Sequence, residues 1–382
     1  MIISIIQDRP IEKFNGDYYM GNFSDIIKYG KLCDHLFYCC SIVEVDSEEK
    51  IKGIKKIDMT NVSIQEVIKS PLKELFHTSS FNKRQVVDVV TKADLVVIKC
   101  PSITLGKWAF DYVRKINKKY ILEYIACAWD SYWYHDIRGK IMAPYSYYNA
   151  KRMAEKAHNV IYVTSKFLQS RYPTGGNSIA CSNVVLMDMH PGVLLSRLDK
   201  INNATNYNRL KLGTVGAVNV AFKGQQYVIE ALYKLKKKGF IYDYFLAGGG
   251  DNNRLKSMVM KFHLEDQVHF VGVISKEKMN DFYDSLDIYV HPSLAEGLPR
   301  VVIEAESRAL PACGANAAGT PELLETDFIF RKQDSDDICR VLLRFTKERM
   351  LEQSRANYNR AAEYMLDVLD ARRQVFYKKA LE

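Results

Sequence analysis

The stretch Asp287-Ile-Tyr-Val-His-Pro-Ser-Leu-Ala-Glu-Gly-Leu-Pro-Arg-Val-Val-Ile-Glu-Ala-Glu306 constrains the fold of this chain more than any other. Asp287 to Val290 reads as a short buried strand. His291-Pro292-Ser293 breaks it, Glu296-Gly297-Leu298-Pro299 turns the chain, and a helix opens near Pro299. Proline suits a first helical position because its missing N–H would be unpaired there anyway. The arrangement delivers a helix N-terminus, with free N–H groups and a partial positive charge, to the carboxyl end of a strand. Such a terminus attracts a phosphate. Glu296 in the loop and Glu304 inside the helix frame it. A carboxylate accepts hydrogen bonds from sugar hydroxyls, so an anion site between two hydroxyl sites suits a nucleotide sugar.

The remaining chain supplies strands and helices in alternation, which implies α/β domains with doubly wound parallel sheets. A length of 382 residues predicts two of them. In the first half, strands are expected at Ile2–Ile6, His35–Val45, Ala93–Pro101, Tyr120–Ile125 and Asn159–Ser165. Helices are expected at 106–118, 142–158 and 166–173. Asn202-Asn-Ala-Thr-Asn-Tyr-Asn208 reads as a polar linker and the domain boundary. A second set follows, with strands near 210–218, 244–250 and 268–274, and a charged helical tail from Glu348.

Ligands in open α/β sheets bind beyond the carboxyl ends of strands. Two segments of the first half follow strand ends. The loop from Gln7 to Phe23 holds Tyr18 and Asn22 and is either an acceptor contact or an ordinary connection. The aromatic and polar segment Ala126–Gly139 offers Asp130, His135, Asp136 and Arg138 beside rings that suit a sugar face. In the second half, Lys223-Gly224 stands just before a helix and sets a point charge beside a helix end, a combination suited to a diphosphate. His291 is expected to shape its turn rather than to take part in chemistry.

The net charge of +9 lies mostly in residues 1–190. No nucleic-acid motif accompanies it, so the expected partners are anionic headgroups or lipid-linked phosphates; a merely solvated surface would look the same. The eight cysteines form no Cys-x-x-Cys pair and mostly sit in apolar runs, as buried free thiols of a reducing cytoplasm would. No apolar run approaches the length of a membrane span. The chain is expected to be cytoplasmic, or at most peripheral on the inner face of the membrane.

Glu296-x7-Glu304, with Gly297-Leu298-Pro299 between and Gly319-Thr320-Pro321-Glu322 after, resembles the donor-site signature of the family-4 retaining glycosyltransferases (glycosyl transferases group 1). Tyr162-Val-Thr-x-x-Phe-Leu-Gln-x-Arg-Tyr-Pro173 and Ser182-Asn183-Val184 resemble a branch acting on bacterial surface polysaccharide. The resemblance implies a GT-B fold of two facing Rossmann-like domains, 1–200 and 209–364, with a last helix, 365–382, crossing back to the first. It implies a hexosyltransferase acting in capsule or lipopolysaccharide biosynthesis. The donor would be a nucleotide diphosphate sugar, UDP-linked by preference, and the acceptor a glycan or lipid-linked oligosaccharide.

By the same resemblance Lys223 and Gly224 hold the diphosphate with the Gly297-Leu298-Pro299 helix start. Glu296 orients the sugar, Glu304 takes the ribose hydroxyls, and Ile274 lies against the base. His135 matches a histidine near the reacting sugar, while Tyr18, Asp130 and Arg138 meet the acceptor. No cofactor and no metal are expected. One departure stands out: the family often has arginine where this chain has Val218. A non-catalytic GT-B partner and a nucleotide-sugar epimerase are the alternatives.

Overall fold

The structure, a computed structural model, describes the chain except Asn22, Lys52 and residues 69–77. It forms two compact units, Met1–Asn183 with Leu369–Glu382, and Val184–Val368.

The first unit is built on a parallel sheet. Strand Ile2–Ile6 lies between His35–Glu44 and Leu95–Cys100. Val62–Val67 flanks His35–Glu44 on one side. Tyr120–Tyr124, Asn159–Tyr162 and Asn177–Ala180 extend the other side in sequence order. Leu95–Cys100 and Tyr120–Tyr124 are buried throughout, which explains their unbroken apolar character: helices cover both faces of such a sheet. Among them Ser80–Lys92 is capped by Ser79, whose hydroxyl accepts from the Asn82 N–H, and it buries Val86, Val89 and Val90.

The second unit holds six parallel strands. Their order is Val268–Gly272, Asp243–Ala247, Lys211–Val215, Ile288–His291, Ala312–Ala315 and Ile329–Phe330. In chain order this is 3-2-1-4-5-6, the Rossmann arrangement, whose switch point falls between Lys211–Val215 and Ile288–His291. One core unites Leu212, Val228, Leu232, Leu246, Val290, Phe328 and Val341.

Several expectations are corrected. Gln7–Phe23 is not one loop: strands Ile11–Phe14 and Asp17–Met20 form a hairpin, and Asn22 lies outside the described residues. Asn15 and Gly16 both take positive φ, 50° and 85°, as a two-residue hairpin turn of this hand requires. The Asn-Gly pair was the available signal. The segment 126–139 is largely helical: Ala128–Trp133 and the first turn of Ile137–Glu155 occupy it, and the Asp136 carboxylate caps the second helix at the Gly139 N–H, 2.6 Å away.

The change of unit falls at Asn183/Val184, before the polar segment 202–208. The intervening helix Pro191–Asn203 belongs to the second unit because Arg197, nearly fully buried, donates to the carbonyls of Leu286 and Tyr283 there. The last helix, Leu366–Leu381, joins the first unit from Leu369 onward: the Cys181 thiol donates to the Leu369 carbonyl, and the Arg373 guanidinium donates to that of Ser182. All eight cysteines are free thiols and all but the half-buried Cys33 are buried.

One feature of the first unit had no sequence signal. Lys28 and Lys99, Asp25 and Glu123 form a buried ion cluster. The Lys99 ammonium lies 2.6 Å from Asp25 and 2.5 Å from Glu123; that of Lys28 lies 2.9 Å from Asp25 and 3.1 Å from Glu123. The Tyr29 hydroxyl donates to Glu123 at 2.7 Å, and Lys28 donates to the Asn183 side-chain oxygen at 2.8 Å. Two cations against two carboxylates leave the cluster neutral, which suits a place with almost no water.

Candidate functional site

In the second unit two loops flank the switch point. The first leaves strand Lys211–Val215, makes a single 3-10 turn at Ala221–Lys223 and opens helix Gln225–Lys236. Gly224 sits at the junction with φ of 76°, and a Cβ there would come within 2.0 Å of the Pro292 carbonyl oxygen. Only glycine lets the two loops meet so closely. The second loop leaves strand Ile288–His291 and opens helix Arg300–Ser307. The loops are stitched together by the Leu294 N–H, which donates to the Phe222 carbonyl at 2.8 Å. Neither helix carries a side-chain cap; the Tyr227 N–H donates to the Gly224 carbonyl at 3.0 Å and the Val302 N–H to that of Pro299 at 3.2 Å, so the start of each helix presents its positive dipole end at the loops. Pro299 is not the first helical residue as expected but the extended residue before it, with ψ of 107°.

Lys223 and Glu296, 73 residues apart in the chain, meet between the two loops. Its carboxylate lies 2.8 Å from the Lys223 ammonium and 3.4 Å from the His291 ring. Burial alone would raise the Glu296 carboxyl, but the charges of Lys223 and His291 outweigh it and hold the group well below the usual carboxylate range. Glu296 is therefore an anion fixed in place, with one oxygen engaged by the Lys223 ammonium and faced by the His291 ring. His291, read from sequence as a turn residue, is 2% exposed and aimed at this carboxylate. Its place three residues before Leu294 and five before Glu296 gave no hint of that.

Glu304 is half-buried on the helix and accepts from the Tyr283 hydroxyl at 3.2 Å. Burial pushes the Tyr283 phenol well above its ordinary range, so it remains a donor. Gly297, Leu298 and Pro299 are buried in the loop, and the Gly319 N–H donates to the Gly297 carbonyl at 2.8 Å. Ile274 is half-buried, just beyond strand Val268–Gly272. Val218 is 2% exposed in the second core, so the departure at that position puts an apolar side chain into packing.

The first-unit residues lie on a hairpin strand and on two consecutive helices with the turn between them. Tyr18 lies on a hairpin strand and donates to Glu66 at 2.6 Å. Asp130 is buried on the helix Ala128–Trp133. His135 is open to solvent, 3.5 Å from Asp136, and Arg138 is exposed in the first turn of the next helix. Among the described residues no group of three or more His, Cys, Asp or Glu side chains is placed to hold a metal ion.

Beside Glu304 the helix also carries Glu306, which is fully buried. Burial, only partly offset by Arg360 at 2.7 Å, pushes its carboxyl up to about 8. A raised carboxyl contributes most stability below its unfolded value, near 4.5, and the contribution is lost as pH rises toward 8. Glu306→Gln removes that titration. Its melting temperature relative to the parent should therefore move in the variant's favour between pH 5 and pH 9, by roughly 2–4 °C per kcal/mol recovered. A constant difference across that range would show that Glu306 does not titrate there.

Two parallel-sheet units, Rossmann order in the second, and a last helix belonging to the first define the GT-B fold. The same fold appears in solved structures. Sucrose-phosphate synthase from Thermosynechococcus elongatus matches with a TM-score of 0.73 at 14% identity, over 99% of this chain and 98% of that one. HepE of Anabaena, crystallised with UDP-glucose, matches at 0.64 and 17% identity over 99% of each chain. A family model of glycosyl transferases group 1 matches residues 198–364, nearly the whole second unit. The chain thus carries a glycosyl transferases group 1 domain in its second unit. Its sequence is 28% identical to Protein CapJ of Staphylococcus aureus over 392 aligned residues, covering 100% of this chain and 97% of that one. It is 32% identical over 135 residues, 33% of each chain, to the amylovoran biosynthesis glycosyltransferase AmsK of Erwinia amylovora.

Proposed function

We propose that the chain is a family-4 retaining glycosyltransferase. It would move a hexose from a UDP-sugar to a glycan or lipid-linked acceptor in surface-polysaccharide biosynthesis, without a metal. The observation that carries this reading is the fixed Lys223–Glu296 pair between two uncapped helix starts at the Rossmann switch point. AmsK, a relative over one third of the chain, supports the polysaccharide assignment, and the UDP-glucose bound by HepE supports the donor class.

In this reading the diphosphate binds across Gly224 and the Gly297-Leu298-Pro299 turn, Glu304 accepts from the ribose hydroxyls, and Ile274 lies against the base. Glu296 accepts from hydroxyls of the donor sugar through the oxygen that Lys223 leaves free. The acceptor oxygen bonds to the anomeric carbon as the bond from that carbon to the β-phosphate oxygen breaks. The departing phosphate takes the acceptor's proton from the same face, so configuration is retained. Lys223 and the helix starts stabilise the charge that develops on the diphosphate, a role suited to fixed dipoles and cations. Tyr18, Asp130, His135 and Arg138 are assigned to the acceptor side, with His135 nearest the reacting sugar.

Val218 favours one second reading, a GT-B partner that binds nucleotide without turnover. A thermal-shift series with UDP, GDP, ADP, TDP and CMP, each with and without EDTA, tests the donor class. At about 100 times its dissociation constant UDP should stabilise the protein by roughly 2.7 kcal/mol, insensitive to EDTA. No shift from any nucleotide would sink the donor-site reading. A UDP shift without consumption of UDP-sugar across a panel of acceptors would install the partner reading.

A further inference from the structure

Helix Ile137–Glu155 is built inside out. The face turned to the protein carries small residues: Gly139, Ala143, Ser146, Ala150 and Ala154. Asn149 and Met153 are buried with them, but both isoleucines of the helix point the other way. Ile137 is 79% exposed, Ile141 75% and Tyr148 64%, and Pro144 is exposed between them. At 3.6 residues per turn these four fall within about 60° of arc and run for about 16 Å along the axis. Trp133, at the end of the preceding helix, is also exposed, and the Lys140 ammonium sits over its ring at 5.8 Å.

Basic side chains rim the stripe on both sides. On the wheel Arg138 and Arg152 border one edge, and Lys140 and Lys151 the other. The only acid on the helix, Glu155, lies 4.0 Å from Lys151 at the far end. Aliphatic and aromatic side chains between two rows of cations match a phospholipid surface, where acyl chains lie below anionic headgroups. A second copy of the same face would set cation against cation. No helix among the described residues is long and apolar enough to cross a membrane, so the stripe lies on a bilayer rather than through it.

We propose that this outward face of helix Ile137–Glu155 seats the first unit on an anionic bilayer. Ile137, Ile141 and Tyr148 enter the headgroup boundary, and Arg138, Lys140, Lys151 and Arg152 contact lipid phosphates. The proposal stands independently of the donor site, which lies in the other unit.

Flotation of the full chain with phosphatidylcholine vesicles, with and without phosphatidylglycerol, tests it. The parent chain should float with the anionic vesicles. Raised salt should weaken this, since exposed charges are screened. I137S/I141S should bind at least about tenfold more weakly, because each isoleucine loses a full apolar burial. Both residues are open to solvent, so the variant's melting curve and its UDP shift should match the parent's. Two results would overturn the proposal: flotation of I137S/I141S equal to the parent's, or a lipid-free dimer of the parent that the same substitutions turn into a monomer.

Discussion

Replacing Lys223 by alanine should lower the turnover of sugar transfer by roughly 10²- to 10³-fold, the cost of losing one preorganised charge at a developing anion. Among the described residues Lys223 is the one lysine that both stands before a helix without a side-chain cap and touches Glu296. Its loss has a second consequence. Glu296 loses the Lys223 charge that does most to hold its carboxyl down, so the carboxyl should rise from its depressed range and the transfer rate should acquire a dependence on acidic pH that the parent lacks. Lys223→Ala and Glu296→Gln should each impair transfer, and their combination should cost less than the two effects added, since they act as a unit. The measurement is initial rate against donor concentration at several pH values, at a temperature well below each variant's melt. Transfer at the parent rate by a folded Lys223→Ala chain would remove Lys223 from the chemistry.

Lys99→Met should cost about 3–5 kcal/mol of stability, the penalty for leaving buried carboxylates without their cation. Lys99 is held above the ordinary ammonium range: burial pulls it down, but Asp25 and Glu123 more than compensate. Burial wins at Lys28, which is pushed below that range, so Lys28→Met should be the milder change of the two. Urea titrations should show both as shifted midpoints with unchanged slope. Equal costs would contradict the unequal balance of the two lysines. The carboxylates set the acid limit. Burial would raise Glu123 and Asp25, yet the lysines hold both below their ordinary values. A depressed carboxyl contributes stability above its unfolded value and loses it as pH falls through the folded one. The parent should therefore weaken progressively below about pH 4.5, and the Lys99→Met chain should show less of that decline.

Local order was legible because it is written locally. Alternation of apolar runs gave the parallel sheets, since strands buried on both faces read as unbroken apolar segments. Glu296 and Glu304 were placed together because one loop and one helix join them. Contacts across long stretches of chain were not legible from spacing. Lys28 meets Asn183, and Lys223 meets Glu296, only once the sheets bring their strand ends side by side. Lys223 was singled out because it stands with Gly224 just before a helix, but its pairing with Glu296 was not. His291 was set aside because its neighbours in sequence say nothing of the carboxylate its ring faces. The hairpin at 11–20 was missed although Asn15-Gly16 announces such a turn.

The sequence by itself determined the alternating architecture, the strand–loop–helix at 287–306 and the pair of carboxylates that frame it. Tertiary structure alone decided which charges are buried together and which apolar side chains remain outside. Helix Ile137–Glu155 shows why. It is apolar on both sides, so its pattern does not choose an inward face. The choice follows from how closely the helix can approach its neighbours. Glycine and alanine permit that approach, and the isoleucines are left on the surface.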